Sequence, residues 1–394
     1  MKFSLAVACL VTLNSFCLAW LPSEKVRGVN LGGLFIIEPW MMEDEWNSMG
    51  CSNSKSEFDC VMALGQDAAD AAFQKHWSTW ITEDDIQQIA NLGLNTLRIP
   101  IGYWMKEDLV SESEYFPRGA FEYLERVCGW AKTYDLYVIL GLHGSPGSQE
   151  PEQPFTGQYA SSPEFYSDYN YGRAYEWLEL MTNASHTNSN FSTVGAIEII
   201  NEPLQNADEV STMVSTYYPE AYNTIRQTEL ALGISYSQQL HVQMMDSNWG
   251  SGNPTASLLA DVTNTLFDDH AYVKYTPNVA LSREGYMQYS CTNRRTDNSP
   301  LIVGEWSLSP ADSVQWDSDF TLWASDAVEW YGKWFSAQAY SYEQDLGWIF
   351  WNWKVQNIGG VNDWRWGYQQ AVTAGAIPTN AAQAADASVC AGYL

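Results

Sequence analysis

Glu202 and Glu305 are the residues whose placement is most suggestive of chemistry. Glu202 lies in Ile199-Ile200-Asn201-Glu202-Pro203 and Glu305 in Leu301-Ile302-Val303-Gly304-Glu305-Trp306. Each closes a short apolar run with the look of a buried parallel strand, and a breaker or loop follows at once. Two carboxyl groups carried at strand ends, far apart in sequence, suit cleavage of a glycosidic bond. One carboxylic acid protonates the leaving oxygen and the other acts, ionised, as nucleophile or base. Burying such groups without partners is costly, so their position asks for a reason.

Those two glutamates need a scaffold. Strand-like runs occur at 28–31, 96–99, 137–142, 196–201, 240–243, 265–267, 301–304 and 348–351. Helical patterns separate most of them, at 82–92, 118–134, 168–181, 219–232 and 325–342. Eight strands alternating with helices predict an α/β fold, a single-domain (β/α)8 TIM barrel. An open doubly wound sheet would bring a glycine-rich phosphate turn after its first strand, and this chain has none. In such a barrel the chemistry gathers at the C-terminal strand ends. Strands four and seven lie nearly opposite each other, which sets Glu202 and Glu305 on either side of a cleft.

Other residues fall near the same mouth. Arg98 is suited to keeping Glu305 ionised. Asn201 is placed to donate to a sugar hydroxyl, and His143 to contact sugar. His270 and Tyr272 alternate, so both face the cleft. Asp268, Asp269 and His270 do not make a metal site, because adjacent strand residues point to opposite faces. Trp351 and Trp353 share a face by period two and at least one floors the sugar site. Glu38, in Glu38-Pro39-Trp40, is a further candidate for the cleft. No cofactor and no metal is called for. Ser145 and Ser307 lack the setting of a serine nucleophile.

The chain opens with the features of a secretory signal: Lys2, an apolar run from Leu5 to Leu13, and Cys17-Leu18-Ala19 as a cleavage site. Residues 1–19 are expected to be removed and 20–394 to form the catalytic domain of a secreted, extracellular protein. Without Lys2, 18 basic residues face 47 acidic ones. That balance argues against nucleic acid and anionic membrane as partners and suits a neutral substrate. Nineteen Trp and 23 Tyr lean toward sugar binding, since aromatic faces stack on sugar C–H faces. Nothing suggests an oligomeric interface, so a monomer is expected.

Five cysteines remain after the signal. Cys51 and Cys60 flank a short polar loop and are expected to pair, as are Cys291 and Cys390. Cys128, on a helical pattern, is expected to be a buried free thiol. Asn183 and Asn190 begin glycosylation sequons.

The chain resembles glycoside hydrolase family 5. The residues that carry the resemblance are Arg27-Gly28-Val29-Asn30-Leu31-Gly32-Gly33, Asn95-Thr96-Leu97-Arg98-Ile99-Pro100, Leu142-His143-Gly144, Asn201-Glu202-Pro203, Asp269-His270-Ala271-Tyr272, Gly304-Glu305-Trp306 and Phe350-Trp351-Asn352-Trp353-Lys354. Within the family it is most similar to the fungal glucan endo-1,6-β-glucosidases, through Glu38-Pro39-Trp40-Met41, Lys55-Ser56-Glu57-Phe58-Asp59-Cys60, Pro154-Phe155-Thr156-Gly157-Gln158-Tyr159-Ala160 and Gln243-Met244-Met245-Asp246. The resemblance implies a retaining β-glucanase acting on internal β-1,6 bonds of a β-glucan. It implies Glu202 as acid/base and Glu305 as nucleophile. Arg98 and Tyr272 would hold the nucleophile, His143, Asn201 and His270 would contact sugar or the acid/base, and Trp351 would form the platform of the reacting subsite. The neighbouring exo-1,3-β-glucanases carry an Asn-Gly-Phe-Asp type of sequence after the His-Gly turn. Here Ser148-Gln149-Glu150-Pro151-Glu152-Gln153-Pro154 stands instead, which speaks against the exo-1,3 alternative. A silent carbohydrate-binding wall protein on the same barrel is the alternative of another class.

Overall fold

The computed structural model describes residues 21–256, 258, 262–295 and 298–394. The leader expected at 1–19 lies outside the described residues.

Eight parallel strands close a barrel in sequence order. They are β1 Val26–Asn30, β2 Thr96–Gly102, β3 Tyr137–Gly144, β4 Val194–Glu198, β5 His241–Met245, β6 Thr265–His270, β7 Leu301–Glu305 and β8 Gly347–Phe350. All eight apolar runs are strands. β2 and β3 are buried along their whole length, as strands covered on both faces must be. Inside the barrel Val26, Tyr137, Ile139, Ala196, Leu266, Ile302 and Ile349 form one cluster below the mouth. A larger core fills the space between strands and helices.

The expected helices form as Glu83–Asn91, Phe121–Thr133, Asp168–Thr187, Tyr218–Ala231 and Ala327–Tyr342, within three residues of their predicted limits except the third, which runs six residues further. The first starts with a reciprocal cap. Asp85 N–H donates to Thr82 Oγ1, and Thr82 N–H donates to Asp85 Oδ2. Cys51–Cys60 and Cys291–Cys390 are disulfides, with Cα atoms 5.1 and 5.4 Å apart. Cys128 is a buried free thiol. No helix among the described residues is long and apolar enough to cross a membrane.

Several strands run two or three residues past their expected ends, and two strand ends fall short in ways that bear on the site. β4 stops at Glu198, so Asn201 and Glu202 stand on the turn beyond it. β8 stops at Phe350, so strand alternation does not run on through Trp351 and Trp353.

Candidate active site

The site is built upward from Arg98. It sits inside β2, beside Asn30 of β1 and Ile139 of β3, and is fully buried. A guanidinium there needs partners for its whole fork. Nε and Nη2 donate to the two oxygens of Glu198 at 2.7 and 2.9 Å. Nη1 donates to Glu305 Oε1 at 2.7 Å and to Asn30 Oδ1 at 2.9 Å. Nη2 also donates to Asn201 Oδ1 at 2.7 Å. One side chain thus ties strands β1, β2, β4 and β7 and the turn after β4 to a common point.

Glu305 is the last residue of β7 and 4 % exposed. Its second oxygen, Oε2, accepts from the Tyr272 hydroxyl at 2.8 Å. Burial pushes this carboxyl above its ordinary value, His270 and Arg98 pull it down, and the charge of Glu202 pushes it up. Burial and the nearby carboxylate charges of Glu305 and Glu202 hold the Tyr272 hydroxyl well above its ordinary value, so it stays a donor.

Glu202 occupies the left-handed region, with φ of +37°. Its Oε1 lies 2.6 Å from His270 Nδ1. His270 Nδ1 is also 3.6 Å from Glu305 Oε2. Burial works against a charge on His270, yet Glu305, Asp268 and Glu202 outweigh it and raise its pKa well above the ordinary value. Glu202, His270 and Glu305 bring one side-chain atom each within 4.8 Å of one another. The nearest carboxylate oxygens of Glu202 and Glu305 therefore lie within 4.8 Å of each other, an approach compatible with the carboxyl separation of about 5–5.5 Å in a retaining pair.

Asn201 spends its oxygen on Arg98, so its buried Nδ2 is left as a donor with no partner among the described residues. His143 Nδ1 is likewise buried without one. The His143 and Trp351 rings lie parallel, centroids 5.8 Å apart and 5° between planes. Trp351 in turn packs on Gly32, where an added Cβ would stand 2.8 Å from the ring. Burial pushes the Glu38 carboxyl up to about 8; the Trp40 hydrogen bond opposes this and the charges of Glu305 and Glu202 add to it. These groups line an open cleft of about 1140 Å³ that holds Glu38, His143, Glu202, His270, Glu305 and Trp351.

Trp353 does not join them. It is fully buried among the core residues, and its Nε1 donates to Asp85 at 3.0 Å. With the strand ended at Phe350, period two no longer sets the direction of its ring.

Sequence reasoning missed three partners. Glu198 neutralises Arg98, Asp268 supports His270 from 3.8 Å, and Gln149 stitches the loop after β3 to the turn after β4. A signal existed for the first, since Glu198 interrupts Ala196-Ile197-Glu198-Ile199-Ile200, where a lone charge needs a partner. A signal existed for the second as well, because Asp268 shares a strand face with His270. Glu198, Asp268 and His270 also bring atoms within 4.8 Å of one another. Arg98 faces these acids at 2.7 and 3.6 Å, so their charge is met by a guanidinium. Asp269 pairs instead with Arg295, and both line the cleft.

A family model described as "Cellulase (glycosyl hydrolase family 5)" matches residues 61–357. The chain belongs to glycoside hydrolase family 5. A relative from Emericella nidulans, "Glucan endo-1,6-beta-glucosidase B", is 54 % identical over 94 % of this chain and 90 % of its own length. "Glucan 1,3-beta-glucosidase" from Blumeria graminis is 31 % identical over 90 % of this chain and 87 % of its own. The crystal structure of a rutinosidase from Aspergillus niger is similar in fold, with a TM-score of 0.69 and 20 % identity over 90 % of this chain and 98 % of that structure.

Proposed function

We propose that this glycoside hydrolase cuts internal β-1,6 bonds of a β-glucan with retention of configuration. Glu305 attacks the anomeric carbon and forms a glycosyl–enzyme ester. Glu202 protonates the departing oxygen, then draws a proton from the water that releases the sugar. Arg98 and Tyr272 hold Glu305 for in-line attack, one on each carboxylate oxygen. Asn201 Nδ2 offers a hydrogen bond to a sugar hydroxyl, and Trp351 gives the reacting sugar its floor. The observation that carries the retaining mechanism is the match to the glycosyl hydrolase family 5 model, and the approach of Glu202 and Glu305 oxygens within 4.8 Å accords with it.

The linkage is supported by the 54 % identity to a relative named for β-1,6 cleavage, against 31 % for one named for β-1,3. The loop 148–154 supports it too, since Gln149 and Glu150 replace the sequence typical of the exo-1,3 group. The apolar leader supports secretion, and the acidic surface suits a neutral polymer. The Asn183 and Asn190 sequons would then meet the glycosylation machinery. Profiling products on pustulan, a β-1,6-glucan, and laminarin, a β-1,3-glucan, tests the reading. Early mixed gentio-oligosaccharides from pustulan, with laminarin nearly untouched, are the expected result. Glucose alone from laminarin, with pustulan inert, overturns it.

A further inference from the structure

A second groove, of about 690 Å³, opens off the cleft, and Trp40, Tyr275 and Trp366 line both. At its far end stand Trp316 and Trp323, with ring centroids 5.6 Å apart and 23° between planes. Trp323 is 71 % exposed and Trp316 44 %. Two adjacent indoles left open to water are an apolar surface that packing does not explain.

The loop that carries them is firmly supported. The guanidinium of Arg365 lies 4.6 Å from the Trp316 ring. Arg365 is itself fully buried and donates twice to Asp363, at 2.6 Å each. It also donates to the carbonyl of Gln315 at 3.0 Å, and the Tyr331 hydroxyl donates to that of Phe320 at 2.6 Å. Lys274 pairs with Asp312 at 2.9 Å and links the loop after β6 to the loop after β7. The indoles are therefore held out ready for a ligand, and ordering them costs little on binding.

We infer that Trp316 and Trp323 form a distal sugar platform that binds the glucan chain beyond the reacting subsite. Continuity with the cleft favours this occupant. So does the rim, where Asp312, Gln315 and Asp363 offer polar groups to hydroxyls beside the aromatic faces. The inference rests on the cleft acting on a β-glucan, and its direction follows from the roles given to the two glutamates. The leaving group sits on the side of the acid, Glu202, on the turn after β4. The groove lies among the loops after β1, β6, β7 and β8, across the mouth. It takes the glycone side, so chain continues there past the cut bond, as internal cleavage requires.

The test uses the full chain carrying Glu305→Gln, so that binding is read without hydrolysis. Its mobility is measured in native gels containing pustulan or laminarin, with and without Trp323→Ala and Trp316→Ala. The platform predicts that each substitution weakens retardation by about fivefold and that Trp323→Phe restores most of it. In the active enzyme, Trp323→Ala should raise KM for long β-1,6-glucan by a similar factor and leave kcat/KM on an aryl β-glucoside, which reaches only the cleft, near the parent value. Unchanged retardation in both Trp→Ala variants overturns the platform. So does an equal loss on polymer and aryl glucoside. Retardation by laminarin alone, lost on Trp323→Ala, upholds the platform while refuting the β-1,6 reading.

Discussion

Tyr272 donates its hydroxyl to Oε2 of Glu305 at 2.8 Å while Arg98 holds Oε1 at 2.7 Å. Both contacts favour the ionised carboxylate, and burial opposes them. The carboxyl proposed as nucleophile is therefore tuned by a balance that single substitutions tilt in a known direction.

The acidic limb of kcat/KM follows from that balance. Glu305 must be ionised to attack, and its pKa is raised, so activity falls with falling pH before the ordinary carboxyl range is reached. Tyr272→Phe removes a contact that lowers the pKa. The limb should move to higher pH, measured on an aryl β-glucoside. A limb that stays in place or moves to lower pH refutes the role given to Tyr272.

Trapping should label Glu305. A 2-deoxy-2-fluoro glycoside with a good leaving group should add one sugar to the peptide that carries residues 301–305, as read by mass spectrometry. NMR should give the retained anomer first. Label on another residue, or the inverted anomer first, rules out the double displacement.

The two glutamates should fail differently. Glu305→Gln should lose nearly all activity. Glu202→Gln should lose about 10²–10⁴-fold on glucan, the usual contribution of a general acid, and much less on an activated aryl glycoside. Azide should speed turnover of Glu202→Ala with retention and should not restore a retaining path to Glu305→Ala. The reverse pattern would exchange their roles.

Arg98 should matter for stability as well as turnover. Arg98→Met leaves Glu198 buried without its cation, a loss of about 3–5 kcal/mol where one partner of a buried pair is removed. Denaturant unfolding measures it. Arg98→Lys keeps a charge but cannot span Glu198, Asn201 and Glu305 with one planar fork, so it should also lose activity. Unfolding curves that match the parent for Arg98→Met would show that the pair does not support the fold.

The barrel was legible because its strands are short apolar runs and its helices carry capping signals. The mouth was legible in part. Glu305 ends its strand as the local pattern implies, β6 runs three residues past the expected 265–267 to take in His270, and Glu202 lies beyond its strand because β4 gives out at Glu198. A run such as 196–201 looks uniform by hydropathy, and only pairing with β5, which reaches Glu198, shows where the ladder ends. Trp353 was misread for a similar reason, since alternation holds only while the strand lasts. Trp316 and Trp323 lie in loops, where sequence carries no periodicity to say which face meets solvent.

Glu305 is rooted in a strand, whereas Glu202 stands on a turn held by Gln149 and His270. Substitutions in the loops after β3 and β4 can therefore reshape what the enzyme accepts as a departing group while the attacking residue keeps its footing. One carboxyl group is thus fixed by the barrel wall and the other by a loop network, so acceptor preference is open to change in the residues around that network without disturbing the strand.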